Sequence, residues 1–339
     1  MTGRDVIIRT DGGVGRITLN RPKALNALTL GMCRGIIGAL AAWEDNAAVS
    51  AIVIDHSEGR GFCAGGDIRL LYEGLRAGGQ GVLEFFRTEY RLNHLLFTLR
   101  KPVTCIMDGV VMGGGAGLAM PCRYRVATGA TRYAMPETGI GLFPDVGGGW
   151  FLSRLPGRTG EWLALTGARL DGADCLALGL ATHFARREDL AEFQAGRLAP
   201  SMAPPARIDT LRDEIDRLFA AERVEDIVAA LTSDASPWAS EQLAEIAKKS
   251  PFSCKAALRQ LRESRKLAHF SGNMRMEFRI VARLIARPDI IEGVRAFVID
   301  KDNNPRWRPS RLEEVSDDEI DAIFAPLPEE EEWTPLRKE

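Results

Sequence analysis

Short apolar runs of strand length, separated by glycine-rich turns, mark the first half of the chain. Two of them flank an Asp-Gly-Gly turn in VIIRT-DGG-VGRITLN (6–20), which predicts an N-terminal hairpin. SAIVIDH (50–56) and KPVTCIMDG (101–109) have the length and apolar character of buried strands. Helical spacing of apolar residues in LGMCRGIIGALAAWE (30–44) predicts a helix, and a second helix is predicted over 84–99.

Three further segments place glycine-rich or strand-like sequence between these elements. GRGFCAGGDIRLLYEG (59–74) is a glycine loop that runs into a helix, and VVMGGGAGLAMPC (110–122) is glycine-rich and then helical. YRVATGATRYAMPE (124–137) contains strand material again. The order strand, strand, helix repeats at irregular intervals, which predicts an α/β layered fold and not a solenoid of regular repeats.

The composition changes after about residue 190. The proline-containing segment MAPPARID (202–209) predicts a hinge, and the segments beyond it, such as 215–233 and 253–286, have helical patterns. We therefore divide the chain into a core at 1–200 and a helical C-terminal region at 201–339. The tail LPEEEEWTPLRKE is charged and broken by proline, which predicts that it frays.

Charge and cysteine content narrow the class of protein. The formal net charge of -2 gives no basic footprint for nucleic acid. The six cysteines form no CxxC pair, which favours reduced thiols in a cytosol over disulfides or a zinc site. The N-terminus lacks the apolar core of a signal peptide, and no apolar run reaches about 18 residues. The sequence thus predicts a soluble cytoplasmic protein that binds neither nucleic acid nor membrane.

The stretch MPETGIGLFPDVGGGW (135–150) places two acids, Glu137 and Asp145, among apolar and glycine residues. Burial raises the pKa of a carboxyl, and a second carboxylate nearby raises it further. Such groups are suited to general acid–base or nucleophilic catalysis. The alternative is structural, with Glu137 capping a turn and Asp145 following Pro144 at a loop corner.

Other catalytic signatures do not occur. The chain has no G-x-S-x-G elbow, no phosphate-binding P-loop and no GxGxxG fingerprint. Its four histidines lack metal-like spacing: His56, His94, His183 and His269. Glycine loops at 63–67, 112–115 and 147–149 could present backbone amides to a carbonyl oxygen, or could serve only turns and close packing. Carboxylates and backbone amides are therefore the candidate catalytic groups.

These segments together resemble the crotonase (enoyl-CoA hydratase/isomerase) superfamily, and are most similar to its 3-hydroxyisobutyryl-CoA hydrolase branch. The similarity covers nearly the whole chain except the acidic tail, and AMPETGIGLFPDVGGG and EGVRAFVIDKD are specific to the hydrolase branch. The other matching segments include LNRPKALNALTLGM, GFCAGGDIRLLYEG, FFRTEYRLNHLL, KPVTCIMDGVVMGGGAGLAM, LALTGARLDGADCLALGLATHF and SPFSCKAALRQLR. The resemblance implies an α/β, crotonase-like right-handed spiral of ββα units with a helical C-terminal region.

The resemblance also implies positions for an acyl-CoA substrate. By motif position, an oxyanion hole for the thioester carbonyl falls on the amides of Gly66 and Gly114. The CoA moiety of family members lies along the RPKALNAL and CAGGDI loops, and Lys23 and Arg69 are candidates for its phosphates. The implied CoA-binding residues are Ala24, Ala64, Asp67 and Ile68.

Three acids complete the implied site. Glu137 matches the catalytic acid of the family, Asp145 the second acid of the hydrolase branch, and Glu89 another substrate-contacting acid. The chain departs from the hydratase pattern at Gly117, where hydratases carry a second catalytic glutamate. Hydration thus lacks one of its two acids, while the hydrolase pair is intact.

The implied activity is hydrolysis of 3-hydroxyisobutyryl-CoA to 3-hydroxyisobutyrate and CoA in valine breakdown, without a metal or organic cofactor. Two alternatives stay open at this point: an enoyl-CoA isomerase or hydratase that uses Glu137 alone, and a non-catalytic acyl-CoA-binding homologue. Acceptance of 3-hydroxypropionyl-CoA also stays open. Many family members form trimers or pairs of trimers, and the sequence leaves open whether this chain forms a homo-oligomer.

Overall fold

The computed structural model describes residues 5–79, 81–194 and 202–337. The strands are β1 (Val6–Asp11), β2 (Val14–Leu19), β3 (Ala51–His56), β4 (Gly61–Cys63), β5 (Val103–Met107), β6 (Val110–Met112), β7 (Tyr124–Ala127), β8 (Arg132–Ala134) and β9 (His183–Phe184). The helices of the first part are α1 (Leu30–Glu44), α2 (Ile68–Arg76), α3 (Val82–Thr98), α4 (Gly114–Ala119), α5 (Gly148–Leu152), α6 (Thr159–Thr166), α7 (Gly172–Ala177) and α8 (Leu190–Gln194). Those of the second part are α9 (Arg212–Leu218), α10 (Val224–Ser233), α11 (Pro237–Ile246), α12 (Pro251–Lys266), α13 (Phe270–Leu284), α14 (Pro288–Val294) and α15 (Asp317–Phe324).

The strands form two sheets whose members alternate along the chain. The larger sheet has the order β1-β2-β3-β5-β7-β9, and the smaller has the order β4-β6-β8. From β3 onward the chain adds one parallel strand to the larger sheet and then one to the smaller, with helices after β4 and β6. This is the expected spiral of ββα units, so the predicted fold class is confirmed.

Sequence pattern explains which strands lie inside. Central strands β3 and β5 are apolar over most of their length and largely buried, as expected for parallel strands covered on both faces. The predicted N-terminal hairpin is confirmed: β1 pairs antiparallel with β2. Strand β1 lies at the sheet edge and is mostly exposed.

Helix α1 begins and ends where the sequence predicts. Its N-cap Thr29 accepts a 3.2 Å hydrogen bond from the Met32 amide through Oγ1, which satisfies one of the unpaired amides of the first turn. Its buried face includes Ile36, Leu40 and Trp43, three to four residues apart, and packs toward α3. Helix α3 buries 11 of its 17 residues, and Glu89 is one of them.

The C-terminal helices pack directly on the spiral. Helix α12 contacts α5 and α6, and α13 contacts α3 and α5. The helical pattern predicted over 253–286 forms two helices, because the chain leaves the helix at Leu267, whose backbone is extended. The predicted division between residues 200 and 201 lies outside the described residues.

The prediction that the C-terminal tail frays is wrong for its described residues, 327–337. Trp333 is fully buried, and its ring packs against His94 with 5.7 Å between centroids. Arg87 of α3 donates hydrogen bonds to the carbonyl oxygens of Glu331 and Glu332 at 2.6 and 2.8 Å. A charged, proline-broken segment thus docks in an irregular conformation because one aromatic anchor and neighbouring arginines hold it.

All six cysteines are buried and free: Cys33, Cys63, Cys105, Cys122, Cys175 and Cys254. Burial raises the pKa of the Cys63 and Cys254 thiols to about 12. The described part of the chain contains no helix with the length and apolar character needed to cross a bilayer.

Candidate active site

A cavity of about 660 Å³ brings together the predicted catalytic and substrate-contacting residues. Its lining comes from the loops before α2 and α4, from α3, from the short 3-10 helix Glu137–Ile140 and from the loop after it. The lining includes Gly66, Glu89, Gly114, Glu137 and Asp145. Residues far apart in sequence therefore line one cavity, although their roles stay predictions.

Two backbone amides at this cavity suit an oxyanion hole. Gly114 begins α4, so its N–H has no partner within the helix, and Gly66 follows Gly65 in the loop before α2. Neither amide donates a hydrogen bond within the described part of the chain. A β-carbon built on Gly114 would lie 3.2 Å from the Gly66 nitrogen, so the two peptides are adjacent. Paired, preorganised amides of this kind stabilise a developing oxyanion.

Glu137 lies beside this pair of amides. It starts the 3-10 helix after Pro136, and its side chain is buried. A β-carbon built on Gly113 would lie 3.0 Å from Glu137 Oε1, while Oε2 has no hydrogen-bond partner among the described residues. Burial, reinforced by the charges of Asp145 and Glu89, raises the pKa of Glu137 well above its usual value.

Asp145 is fixed from the side of α3. The hydroxyl of Tyr90 donates a 2.8 Å hydrogen bond to Asp145 Oδ2, and both side chains are buried. Burial raises the pKa of Asp145 to about 7, against the opposing effect of the Tyr90 hydrogen bond. This carboxyl can therefore change its protonation state near neutral pH.

Glu89, one residue before Tyr90, completes the group of acids. Its Oε1 has no partner among the described residues, and a β-carbon at Gly114 would overlap this oxygen. Burial and then the charge of Asp145 raise the pKa of Glu89. Two acids thus lie close to the start of α4. Glu89 Oε1 lies beside the α-carbon of Gly114, and Glu137 Oε1 lies beside Gly113.

The predicted CoA contacts separate into two places. Ala64 and Ile68 line the cavity, whereas Ala24 lies with Lys23 at a separate surface hollow. The Asp67 carboxylate caps α2, accepting from the Leu70 amide at 3.3 Å, and also pairs with Arg21 at 2.9 Å. Asp67 therefore has a structural role whether or not CoA contacts it.

Arg69 is exposed at the start of α2, where its Nη2 lies 3.5 Å from the carbonyl oxygen of Val298. Arg69 therefore links α2 to the C-terminal region. It is not one of the described residues that line the cavity.

Gly117 lies where a side chain has no room. A β-carbon there would come within 2.6 Å of Val146 Cβ and 2.9 Å of Asn93 Nδ2. The Asn93 amide also donates a 2.9 Å hydrogen bond to the Gly117 carbonyl oxygen. The space next to this glycine is thus filled by packed groups, and no second acid can occupy it without rearrangement.

The structure adds residues that the sequence did not single out. Tyr90 follows Glu89 in the RTEY motif, and its position beside a predicted site residue could have identified it from the sequence. Lys249, Phe297 and Asn303 line the cavity from the C-terminal region, and burial lowers the pKa of Lys249. The local sequence gives no indication that these three reach the cavity, because their positions depend on how the C-terminal helices pack.

Comparison with known proteins finds relatives that match over most of the chain. Residues 14–324 match the family model described as enoyl-CoA hydratase/isomerase. The chain is 43% identical to the 3-hydroxyisobutyryl-CoA hydrolase, mitochondrial, of Gallus gallus, over 95% of this chain and 89% of that protein. The word mitochondrial describes the chicken protein, and a cytoplasmic location for this chain stays a prediction.

Two solved structures are similar over nearly their full length. A carnitinyl-CoA dehydratase from Mycobacterium thermoresistibile is 38% identical with a TM-score of 0.94, covering 99% of this chain and 100% of that one. An enoyl-CoA hydratase from Rhodobacter sphaeroides is 40% identical with a TM-score of 0.93, covering 97% and 99%. With its spiral of strands, its cavity and these relatives, the chain belongs to the enoyl-CoA hydratase/isomerase family.

Proposed function

We propose that this chain hydrolyses the thioester of 3-hydroxyisobutyryl-CoA, giving 3-hydroxyisobutyrate and CoA. The observation that carries the proposal is the grouping of three buried acids, Glu89, Glu137 and Asp145, around two backbone amides in one cavity. Neither amide has a hydrogen-bond acceptor in the described part of the chain. The activity named for the chicken relative supports it. As the family resemblance implies, the proposed step belongs to valine breakdown.

The thioester carbonyl oxygen binds between the Gly66 and Gly114 amides. In one route a Glu137 carboxylate oxygen bonds to the carbonyl carbon, and the carbon–sulfur bond breaks as sulfur takes a proton to leave as the CoA thiol. Water then cleaves the mixed anhydride and regenerates Glu137. In the other route Glu137 takes a proton from water, whose oxygen bonds to the same carbon; the carbon–sulfur bond then breaks, and the sulfur takes a proton to leave as the CoA thiol. Oxygen-18 that enters the Glu137 carboxyl during turnover in labelled water would identify the anhydride route.

Asp145 transfers protons to and from water or the thiolate, or orients the substrate hydroxyl, and Glu89 contacts the acyl group. Because each ionised acid raises the pKa of its neighbours, the group loses its protons one at a time. The reaction draws only on these side chains, backbone amides and water.

Hydration or dehydration of an enoyl-CoA is the second candidate, because both solved relatives carry names of that kind. The packing around Gly117 argues against it, since hydratases use a second glutamate there. A catalytically silent acyl-CoA binder is a third candidate, and the intact acids argue against that.

The test is to measure free thiol released from 3-hydroxyisobutyryl-CoA by the purified protein, alongside hydration of crotonyl-CoA. We expect thiol release without hydration. Hydration without thiol release would replace the hydrolase with a hydratase, and binding of CoA thioesters without either reaction would indicate the silent binder. A parallel measurement with 3-hydroxypropionyl-CoA defines the acyl selectivity.

A further inference from the structure

A further buried carboxylate, Glu277, lies behind the cavity on helix α13. Glu277 has no solvent-exposed surface, yet its two oxygens accept four hydrogen bonds. Oε2 accepts from the backbone N–H of Gly147 at 2.7 Å, and Oε1 from the N–H of Gly149 at 3.0 Å. The side-chain amides of Gln260 and Asn273 each donate to Oε1 at 2.9 Å. The mechanism above assigns no role to this carboxylate, which does not line the cavity.

The segment that Glu277 binds follows Asp145 directly and has an unusual backbone. Val146 has a φ of +52° and Gly147 a φ of +89°. A β-branched residue in the left-handed region is an outlier that persists only when its surroundings hold it. The amide of Gly148 also donates a 2.7 Å hydrogen bond to the Asp145 carbonyl oxygen, which closes a tight turn.

Glu277 and its partner Gln260 hold this turn on both sides of Asp145. The Gln260 amide that donates to Glu277 also donates to the carbonyl oxygen of Pro144 at 2.7 Å. A β-carbon at Gly149 would come within 2.6 Å of that same Gln260 nitrogen, so the turn lies directly against α12. The backbone before and after Asp145 is thus tied to two C-terminal helices.

We propose that Glu277 is a positioning residue for the reaction: by holding the Val146–Gly149 turn, it sets the Asp145 carboxyl in the cavity and against the Tyr90 hydroxyl. Tyr90 fixes the end of the Asp145 side chain, and Glu277 fixes the backbone from which that side chain projects. The catalytic consequence rests on the proposed hydrolase function, whereas the geometric consequence does not.

Glu277→Gln is the informative change because it keeps the shape but turns one acceptor into a donor. A side-chain NH₂ then faces the N–H of Gly147 or Gly149, two donors oppose each other, and the turn shifts. Misplacement of a catalytic group by about 1 Å costs on the order of 100-fold in rate. We expect kcat for thiol release to fall about 10- to 100-fold while KM changes by less than about threefold.

A double-mutant cycle separates positioning from general loss of structure. In an Asp145→Asn background the carboxylate that Glu277 positions is gone, so adding Glu277→Gln should slow the reaction by less than about twofold. An equal loss in both backgrounds would overturn the proposal. If Glu277→Gln does not fold, Gln260→Met removes the bonds to Glu277 and Pro144 and should show the same dependence on Asp145; independence there overturns the proposal too.

A crystal structure of the Glu277→Gln variant tests the inference apart from the activity. We expect the turn to move and the Asp145 carboxyl to leave hydrogen-bond distance of the Tyr90 hydroxyl. A variant that keeps the 2.8 Å contact and the φ values of Val146 and Gly147 would refute the positioning role, even in an active enzyme. If the wild type releases no thiol but the turn moves as expected, the proposed function fails and the positioning of Asp145 stands.

Discussion

The Tyr90 hydroxyl donates a 2.8 Å hydrogen bond to Asp145 Oδ2, joining the middle of α3 to the loop before α5 inside the protein. A phenol donor favours the ionised form of a carboxyl, so this bond lowers the pKa of Asp145 while burial raises it to about 7. The balance keeps Asp145 partly ionised at neutral pH, where a proton-transfer group works best.

Tyr90→Phe removes only this hydrogen bond. The pKa of Asp145 should then rise above 7, and the ascending limb of the pH–rate profile should move to higher pH. We expect kcat/KM at pH 7 to fall about 10-fold and to recover at higher pH, since a hydrogen bond to a charged group is worth about 1.5–3 kcal/mol. Tyr133→Phe, a change at an equally buried tyrosine, is the control. An unshifted profile in Tyr90→Phe would contradict the role of Asp145.

Glu137→Gln should abolish both routes of thioester cleavage while keeping the shape of the site. A positioned acid–base group raises a reaction rate by about 100- to 10 000-fold, so the rate of thiol release should fall by at least about 100-fold. Affinity for a CoA thioether, measured by calorimetry, should stay within about threefold. Glu245→Gln at the same cavity is the control and should keep the wild-type rate. Full activity in Glu137→Gln would remove Glu137 from the mechanism.

Stability should fall as pH rises, because the buried acids are easiest to bury when protonated. The pKa of Asp145 is about 7 in the folded chain, against an ordinary value of 3.8, and burial raises the pKa values of Glu89 and Glu137 as well. The folded state therefore holds more protons than the unfolded state between about pH 4 and pH 7, and the free energy of unfolding decreases across that window. The midpoint of thermal unfolding should drop between pH 5 and pH 8.

Asp145→Asn tests that explanation, since it replaces one titrating group by a neutral one of the same shape. Its thermal midpoint should depend less on pH than that of the wild type. Glu330→Gln at an exposed acid should leave the dependence unchanged. A wild-type midpoint that rises from pH 5 to pH 8 would show that other groups dominate.

Gly117→Ala should destabilise the protein without creating hydratase activity. The new methyl group would contact Val146 and Asn93, and overpacking of this kind costs about 1–3 kcal/mol. The thermal midpoint should fall, and crotonyl-CoA hydration should stay at background even in Gly117→Glu. Gly38→Ala, with open space beside it in α1, is the matched control and should not lower the midpoint. Hydration by Gly117→Glu would show that the pocket adapts to a second acid.

Local sequence patterns, such as capping residues and the spacing of apolar positions, predicted the bounds of individual helices and strands. The bounds of α1 follow from the cap at Thr29 and the apolar spacing up to Glu44, so the sequence and structure agree there. The grouping of Gly66, Gly114 and Glu137 came from family resemblance, because periodicity alone cannot tell which loops meet across a spiral. In the structure these same three residues line one cavity.

Long-range packing explains what the sequence left out. Glu277 contacts Gly147 across 130 positions of sequence, so no local pattern predicts this contact. The tail was read from its charges, yet Trp333 decides its conformation by burying one ring beside His94. The charged composition of the tail predicts exposure to solvent, but one buried tryptophan side chain is enough to hold the segment against the protein.

The burial of every cysteine has a practical consequence for detecting the reaction. A disulfide reagent reacts with thiolates, and burial raises the pKa of the Cys33, Cys105 and Cys175 thiols among others. In the native protein such a reagent should therefore colour only with coenzyme A set free in solution. When the chain unfolds, its own thiols become exposed and reactive. Colour that develops without substrate would therefore report the amount of unfolded protein in the sample.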